Sequence, residues 1–373
     1  MATVIFRNGY LIDPASSATM EQKDVWVHDG IVVSPSEVVP QGAILYDLQG
    51  KWITPGLIDM HVHLREPGEE YKETIATGTK AAAVGGFTAV ACMPNTHPVN
   101  DCAAVTRYIC EKASQCSARV YPVGSISTKS EGKGLAEFGE MKEAGAVALS
   151  DDGLPVLDSQ LMRRALEYSS SHGMVLISHS EEASLSRNGS MNEGETSTRL
   201  GLKGIPNAAE SIMVFREIAL AELTGVPLHI AHVSTAESLD LIRLAKQRGV
   251  KVTAETAPHY FTLTDDAVDG YNTNAKMNPP LRSATDREAV RLALADGTLD
   301  AIATDHAPHS ELEKEVEFST AANGIIGLET ALPLTLALVR EGYISAVKMI
   351  ELMSTNPAAI LGVTGGSLAP GKP

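Results

Sequence analysis

The sequence predicts an α/β protein in which a closed (β/α)8 barrel, the TIM-barrel architecture, is joined to a small β-sandwich domain. Three observations predict it. From residue 57 onward, eight short apolar runs alternate with amphipathic helical stretches within roughly the ~250 residues such a barrel occupies. Ahead of Thr54-Pro55-Gly56 the pattern is different, with alternating strand-like segments broken at Asn8-Gly9 and Asp29-Gly30. And 373 residues with 44% hydrophobic and 20% charged content can bury a large core.

Taken in order, residues 4–6, 24–27 and 43–47 alternate as short strands of a β segment spanning 1–54. The barrel is expected over 55–362. Its eight runs are 57–62, 88–93, 119–124, 147–150, 174–178, 228–233, 251–256 and 301–304, and helical periodicity follows most of them, as at 101–113, 159–171, 208–223 and 236–248. Strands that alternate with helices pair in parallel, and eight repeats let the sheet close on itself; a doubly wound open sheet is the alternative. Residues 363–373 read as a turn that begins a return to the β-domain, with the chain stopping before a final strand. Its Gly366 to Lys372 string matches a phosphate loop in spacing only, because Pro373 stands where Ser or Thr is required and no helix follows.

Composition excludes several classes of function. A net charge of -16 with no Lys/Arg cluster argues against nucleic acid as a partner, since phosphates need a basic face. No apolar stretch approaches the ~20 residues of a membrane span, and the N-terminus lacks a secretion signal, so a cytoplasmic location is expected. Cys92, Cys102, Cys110 and Cys116 contain no C-x-x-C pair and read as reduced core residues.

The chemistry concentrates where the runs end. In Ile58-Asp59-Met60-His61-Val62-His63-Leu64-Arg65, strand alternation turns His61 and His63 the same way, which at the C-terminal end of a barrel strand is into the catalytic mouth. Alone, such a pair is as easily structural. But Asp151-Asp152 end the fourth run, His179 the fifth, His232 the sixth and Asp305 the eighth, and metal-ligand residue types at so many equivalent positions imply one shared site. Four His and two carboxylates suit one or two ions of Zn²⁺ or a similar metal, with a carboxylate able to bridge two of them. Water bound to such ions loses a proton near neutral pH, and a second carboxylate can carry that proton to a leaving nitrogen, which is amide hydrolysis. His28, His97, His172, His229 and His306 fall on turns, helices or the opposite strand face and read as structural; His259 stays undecided.

The string Pro55-Gly56-Leu57-Ile58-Asp59-Met60-His61-Val62-His63-Leu64-Arg65-Glu66-Pro67-Gly68 resembles the signature of the dihydroorotases, a class I, Asp-bridged bacterial type within the amidohydrolase superfamily. Ala91-Cys92-Met93-Pro94-Asn95-Thr96, Lys276-Met277-Asn278-Pro279-Pro280-Leu281-Arg282 and Ala303-Thr304-Asp305-His306-Ala307-Pro308-His309 are similar to further family motifs, in order, over residues 50–365. The resemblance implies that His61, His63, Asp152, His179, His232 and Asp305 surround the metals, with Asp152 preferred to Asp151 on its spacing to His179, a choice alternation leaves open. It implies that His63, Arg65, Asn95, Asn278, His309, Asn323 and Gly324 contact substrate, Arg65 gripping a carboxylate through two parallel hydrogen bonds. The implied reaction is the reversible cyclisation of N-carbamoyl-L-aspartate to L-dihydroorotate in pyrimidine synthesis, by a metal-activated hydroxide with Asp305 as general acid and base. A homodimer is expected, as is a complex with aspartate transcarbamoylase in some settings.

Departures are visible too. The stretch Ser178-His179-Ser180-Glu181 has Ser where relatives often carry Cys, Asn323-Gly324 stands where many carry Phe-Gly, and 310–322 is polar and acidic, which suggests a mobile covering loop. Hydantoinases and allantoinases open similar rings but typically bridge their metals with a carboxylated Lys on the fourth strand; no Lys lies between Ala144 and Leu154. A non-catalytic scaffold of aspartate transcarbamoylase is a further alternative, disfavoured because all expected ligands are present.

Overall fold

The computed structural model describes residues 3–16, 18–36 and 38–373. Eight strands, β1 (Leu57–Val62), β2 (Phe87–Cys92), β3 (Arg119–Gly124), β4 (Ala148–Leu149), β5 (Val175–Ser178), β6 (Leu228–Ile230), β7 (Val252–Thr256) and β8 (Ala301–Ile302), form one sheet in sequence order. Every pairing between neighbours is parallel. The ring closes between its ends, where Val62 bridges His306 and the His63 N–H donates to the His306 carbonyl at 2.8 Å. The eight-run pattern thus corresponds to a closed barrel and not to an open sheet.

Side-chain size explains how the ring closes. Its interior is filled by Ala89, Ala91, Ala148, Ala231, Ala301 and Ala303 around Ile58, Met60, Met93 and Ile177, small residues letting the strands approach around a few large ones. The outward residues Leu57, Val90, Ile230, Val252 and Ile302 pack instead against Val214, Ile218, Leu239, Ile242, Val290 and Leu338 of the surrounding helices. Those helices start and stop where local chemistry dictates. The Ser283 side chain accepts from the Asp286 N–H to open helix Ala284–Asp296, and Gly297, at φ +84°, closes it in a left-handed conformation that costs other residues strain.

The N-terminal segment forms two sheets. One holds Ile31–Val33, Val25–His28, Thr3–Arg7 and Ile44–Asp47 in spatial order; the other holds Ala18–Gln22, Tyr10–Asp13 and Trp52–Ile53. Sequence alternation found three of these seven strands. Of the other four, Ile31–Val33 and Trp52–Ile53 carry too few residues to display a period, and Tyr10–Asp13 pairs with Ala18–Gln22 across a register shift between Leu11 and Ile12. Leu11, Val25 and Val32 form a small core that Leu368 joins. The final residues lie against it, with Val32 and the 371–372 segment exchanging backbone hydrogen bonds of 2.8 Å and Asp13 Oδ2 accepting from the Leu368 N–H at 2.9 Å.

Candidate metal centre and cavity

The C-terminal ends of the strands supply the site. His61 lies within β1 and His63 just beyond it; His179 follows β5, His232 follows β6 and Asp305 follows β8. Arg65, His232 and Asp305 have positive φ, at +61°, +35° and +50°, so the chain turns sharply as it leaves these strands and aims the side chains inward. Asp59 helps hold that geometry, its Oδ1 accepting from the backbone N–H groups of both His61 and Thr304 at 3.1 Å. Burial pushes the Asp59 carboxyl up to about 7.

Asp152 sits at the centre. One of its oxygens is 3.2 Å from His61 Nε2 and the other 3.5 Å from His63 Nε2, while Asp305 Oδ1 lies 3.0 Å from His63 Nε2 and 3.5 Å from His61 Nε2. On the other side, Asp152 Oδ1 is 3.7 Å from His232 Nε2 and 3.9 Å from His179 Nδ1. The residues therefore form two triads with metal-ligand spacing, His61–His63–Asp152 and Asp152–His179–His232, that share one carboxylate. Asp151 points away: its Oδ1 accepts from the Ile126 and Ser127 N–H groups at 2.8 and 3.0 Å.

The electrostatics favour a cation. Burial pushes Asp152 up, but His61, His232 and His63 outweigh it and hold the carboxyl well below the usual range. Burial by itself lowers His61, yet Asp152 and Asp305 hold it well above its ordinary value. Asp305 is likewise kept ionised by His61 and His63 against its burial. His61 Nε2 and Asp152 Oδ1 are buried without any hydrogen-bond partner, and His179 Nδ1 and His232 Nε2 face each other at 2.8 Å. Lone pairs and negative charge crowded together in this way are what a divalent ion would satisfy, so the donor set fits the metals the sequence implies.

Above the two triads opens a cavity of about 190 Å³, lined by His63, Asp152, His179, His232 and Asp305 below and by Arg65, Asn95, Asn278, His309, Asn323 and Gly324 around the wall. Only His61 among the residues expected here does not line it, being fully buried beneath. Asn95 Oδ1 lies 2.9 Å from His63 Nδ1, and Asn278 Nδ2 donates to Glu181 at 3.3 Å. Arg65 Nε donates to the Pro308 carbonyl at 3.1 Å, its Nη2 lies 3.3 Å from His309 Nε2 and its Nη1 3.7 Å from Glu69 Oε2, and the residue lines the cavity. Burial and the nearby Arg65 lower His309 to about 4, and its Nε2 donates to the Asn323 carbonyl at 2.7 Å. Gly324 has φ +133°, and a Cβ there would lie 2.7 Å from that of Ala307, so no larger residue fits. Its N–H is committed to the Lys276 carbonyl at 2.9 Å.

Two supporting residues escaped the sequence. Glu255, on β7, lies with its Oε1 2.7 Å from His61 Nδ1, and its Oε2 is 3.2 Å from His229 Nε2. Burial raises Glu255 but these two histidines bring it down to about 2. This also corrects the placement of His229 on the face opposite the site. Alternation from His232 fails because the ladder ends at Ile230 and His232 leaves strand geometry, so His229 points into the barrel. A carboxylate amid the otherwise uncharged run Val252–Thr256 was the signal available for Glu255.

The sequence model of the dihydro-orotase-like family matches residues 50–238. The dihydroorotase of Desulfotalea psychrophila is 66% identical over 368 residues, 99% of this chain and 87% of that protein; that of Geobacter sulfurreducens is 60% identical over 371 residues, with the same shares. Among solved structures, L-hydantoinase (dihydropyrimidinase) from Arthrobacter aurescens has a TM-score of 0.88 at 24% identity, covering 99% of this chain and 85% of that one. Dihydropyrimidinase from Brevibacillus agri has a TM-score of 0.84 at 24% identity, covering 99% and 84%. At that identity the likeness speaks to the barrel fold.

Proposed function

The chain belongs to the dihydroorotase family, and from that premise we propose that it interconverts N-carbamoyl-L-aspartate and L-dihydroorotate in pyrimidine synthesis. The observation that carries this reading is the cavity itself: a floor of two carboxylates and three imidazoles, with His61 buried beneath, under a wall that includes one guanidinium, three asparagines and the His309 ring. That combination matches a ring with two amide groups and one carboxylate.

His61, His63, Asp152, His179, His232 and Asp305 would hold one or two divalent ions, with Asp152 as the shared ligand, and we propose Zn²⁺ on the strength of the His-rich donor set. A divalent ion there polarises a carbonyl and makes water acidic enough to attack near neutral pH. Asp305 moves the proton. It stands on the cavity floor as a carboxylate, so in the hydrolytic direction it takes a proton from the attacking water and delivers it to the ring nitrogen as the C–N bond breaks. In the cyclising direction the same oxygen removes the proton from the ureido nitrogen as the bond forms.

Substrate is oriented by the wall. Arg65 faces the substrate carboxylate, where a planar two-donor fork is better matched than an ammonium. Asn95 and Asn278 keep amide groups for the ring carbonyls and N–H groups, and His309, held largely neutral with its Nε2 proton given to the Asn323 carbonyl, adds no second cation. With the Gly324 N–H already engaged, contact from this strip falls to Asn323 and to the Gly324 carbonyl.

A hydantoinase reading is favoured by the solved neighbours' names but not by the site, where Asp152 takes the shared position and no Lys is near it in sequence. The deciding assay supplies zinc-loaded protein with dihydroorotate, hydantoin and allantoin in parallel, with and without chelator. Chelator-sensitive turnover of dihydroorotate alone is expected; hydantoin turnover without dihydroorotate turnover overturns the substrate assignment.

We further propose a cytoplasmic homodimer and, as an assembly partner, aspartate transcarbamoylase. No helix among the described residues is long and apolar enough to cross a membrane. Ile212, Phe215 and Leu223 expose one apolar face of helix Ala208–Thr224 that a second copy would cover. Sedimentation of a single species at monomer mass at micromolar concentration would end the dimer proposal, and absence of co-sedimentation with the transcarbamoylase would end the other.

A further inference from the structure

We infer that Glu255 is a positioning residue for the metal centre: it fixes the ring orientation and tautomer of His61, with His229 at ion-pair distance from its other oxygen. The inference rests on the metal-binding reading above. It goes beyond the ligand set by naming what aims one of the ligands.

The geometry runs as a chain of four side chains through the barrel interior. Thr253 Oγ1 lies 2.8 Å from His229 Nδ1; His229 Nε2 lies 3.2 Å from Glu255 Oε2; Glu255 Oε1 lies 2.7 Å from His61 Nδ1. Glu255 is 1% exposed and both histidines are fully buried. An ionised carboxylate only accepts hydrogen bonds, so His61 must carry its proton on Nδ1. Nε2 is then the nitrogen that can offer a lone pair to an ion, and it stands 3.2 Å from Asp152 and 3.5 Å from Asp305 with no hydrogen-bond partner. A ring free to flip or to swap tautomers would at times present an N–H to the site and repel a cation.

β6 and β7 are neighbours in the sheet but β1 is not paired with either, so the contacts also tie the wall that carries His61 to the wall that carries His232. Glu255 and Thr253 share the inward face of β7 by strand alternation, which is why both reach His229. A buried carboxylate with no function would be an expensive occupant of an apolar interior, and replacing it by a hydrophobe would be expected to stabilise as often as not. Its retention here is explained by the histidine it aims. Carboxylates that accept from the far nitrogen of a ligating histidine commonly control metal affinity by roughly 10- to 100-fold.

The test is Zn²⁺ titration of metal-stripped protein against a chromophoric competing chelator, with thermal midpoints of the stripped and loaded forms, for wild type, E255Q, E255M and H229Q. E255M is expected to raise the Zn²⁺ dissociation constant by roughly 10- to 100-fold and to shrink the rise in midpoint on loading. E255Q keeps an acceptor oxygen and should recover part of that loss, with H229Q between E255Q and wild type. Cobalt-loaded E255M should also show shifted d–d bands, which a merely structural role would leave alone. Wild-type affinity and loading increment in folded E255M overturn the inference. Should E255M fail to fold, wild-type affinity in H229Q and E255Q overturns it instead. None of these readouts uses substrate, so an error in the substrate assignment would appear separately, in the turnover assay.

Discussion

Asp305 and His61 stand within 3.5 Å of each other, and the proposal gives them opposite jobs that their surroundings separate. His61 is fully buried and tied from behind by Glu255; Asp305 is 15% exposed at the cavity, where a substrate can reach it. Asp305→Asn keeps the size and one acceptor oxygen but cannot take a proton. Turnover should fall by about 10²- to 10⁴-fold, the usual range for a lost general base, with product binding reduced far less. Steady-state rates beside calorimetric binding of dihydroorotate check this, and turnover within a few-fold of wild type removes Asp305 from proton transfer. The histidine pair, the adjacent aspartates and Asp305 were legible because each ends an apolar run. Asp59 and Glu255 were not, since their partners are backbone groups or side chains far along the chain: Glu255 lies 194 positions from His61.

At the scale of elements, the runs located every barrel strand, but strand ends shifted in a consistent way. The fourth run, 147–150, contains only the two-residue β4, and the eighth, 301–304, only β8. Residues after these points leave the ladder to serve the site, so sequence hydrophobicity continues where pairing does not. The segment 310–322, expected to be a mobile cover, includes the short helix Glu311–Lys314 and is pinned at several points. Glu313 accepts from the Ser310 N–H at 3.0 Å and pairs with Lys72 at 2.9 Å, and Lys276 donates to the Ser319 and Ala321 carbonyls at 2.9 and 2.7 Å. Burial raises Glu313, but Lys72 and Ser310 bring it from 4.5 down to about 2. A carboxyl lowered on folding contributes stability that is complete above its unfolded value and is lost as pH falls toward the folded one. The cover should therefore loosen as pH drops from 4.5 toward about 2, and Glu313→Gln should loosen it at neutral pH. Amide hydrogen exchange over 310–322 measures both; equal protection in Glu313→Gln and wild type would dissociate Glu313 from the cover.

Across the whole molecule, removal of metal should be felt well beyond the site. The residues proposed as ligands come from β1, β5, β6 and β8 and from just after β4, so ions that bind only the folded state would stabilise the entire ring, by about 4 kcal/mol at a free concentration 1,000 times the dissociation constant. Chelation is expected to lower the thermal midpoint by several degrees and zinc to restore it, followed by calorimetry; a midpoint indifferent to chelator would mean that the ligands do not close on an ion. The fold class was readable from the sequence because alternation of strand and helix is a property of short windows. The small β layer was only partly so, since four of its seven strands are too brief or too irregular to show a period.

The seam between β1 and β8 has a consequence for biosynthesis. Asp59 waits near the start of the barrel for the Thr304 amide, and His63 for the His306 carbonyl, partners made some 245 residues later. A ribosome-bound chain that has not yet emitted its last strand lacks both the clasp and Asp305, so it cannot assemble the full ion-holding set. A copy that ends before the last strand therefore keeps both metal-spaced triads in its sequence but lacks the clasp that closes the ring and the carboxylate proposed to carry the proton.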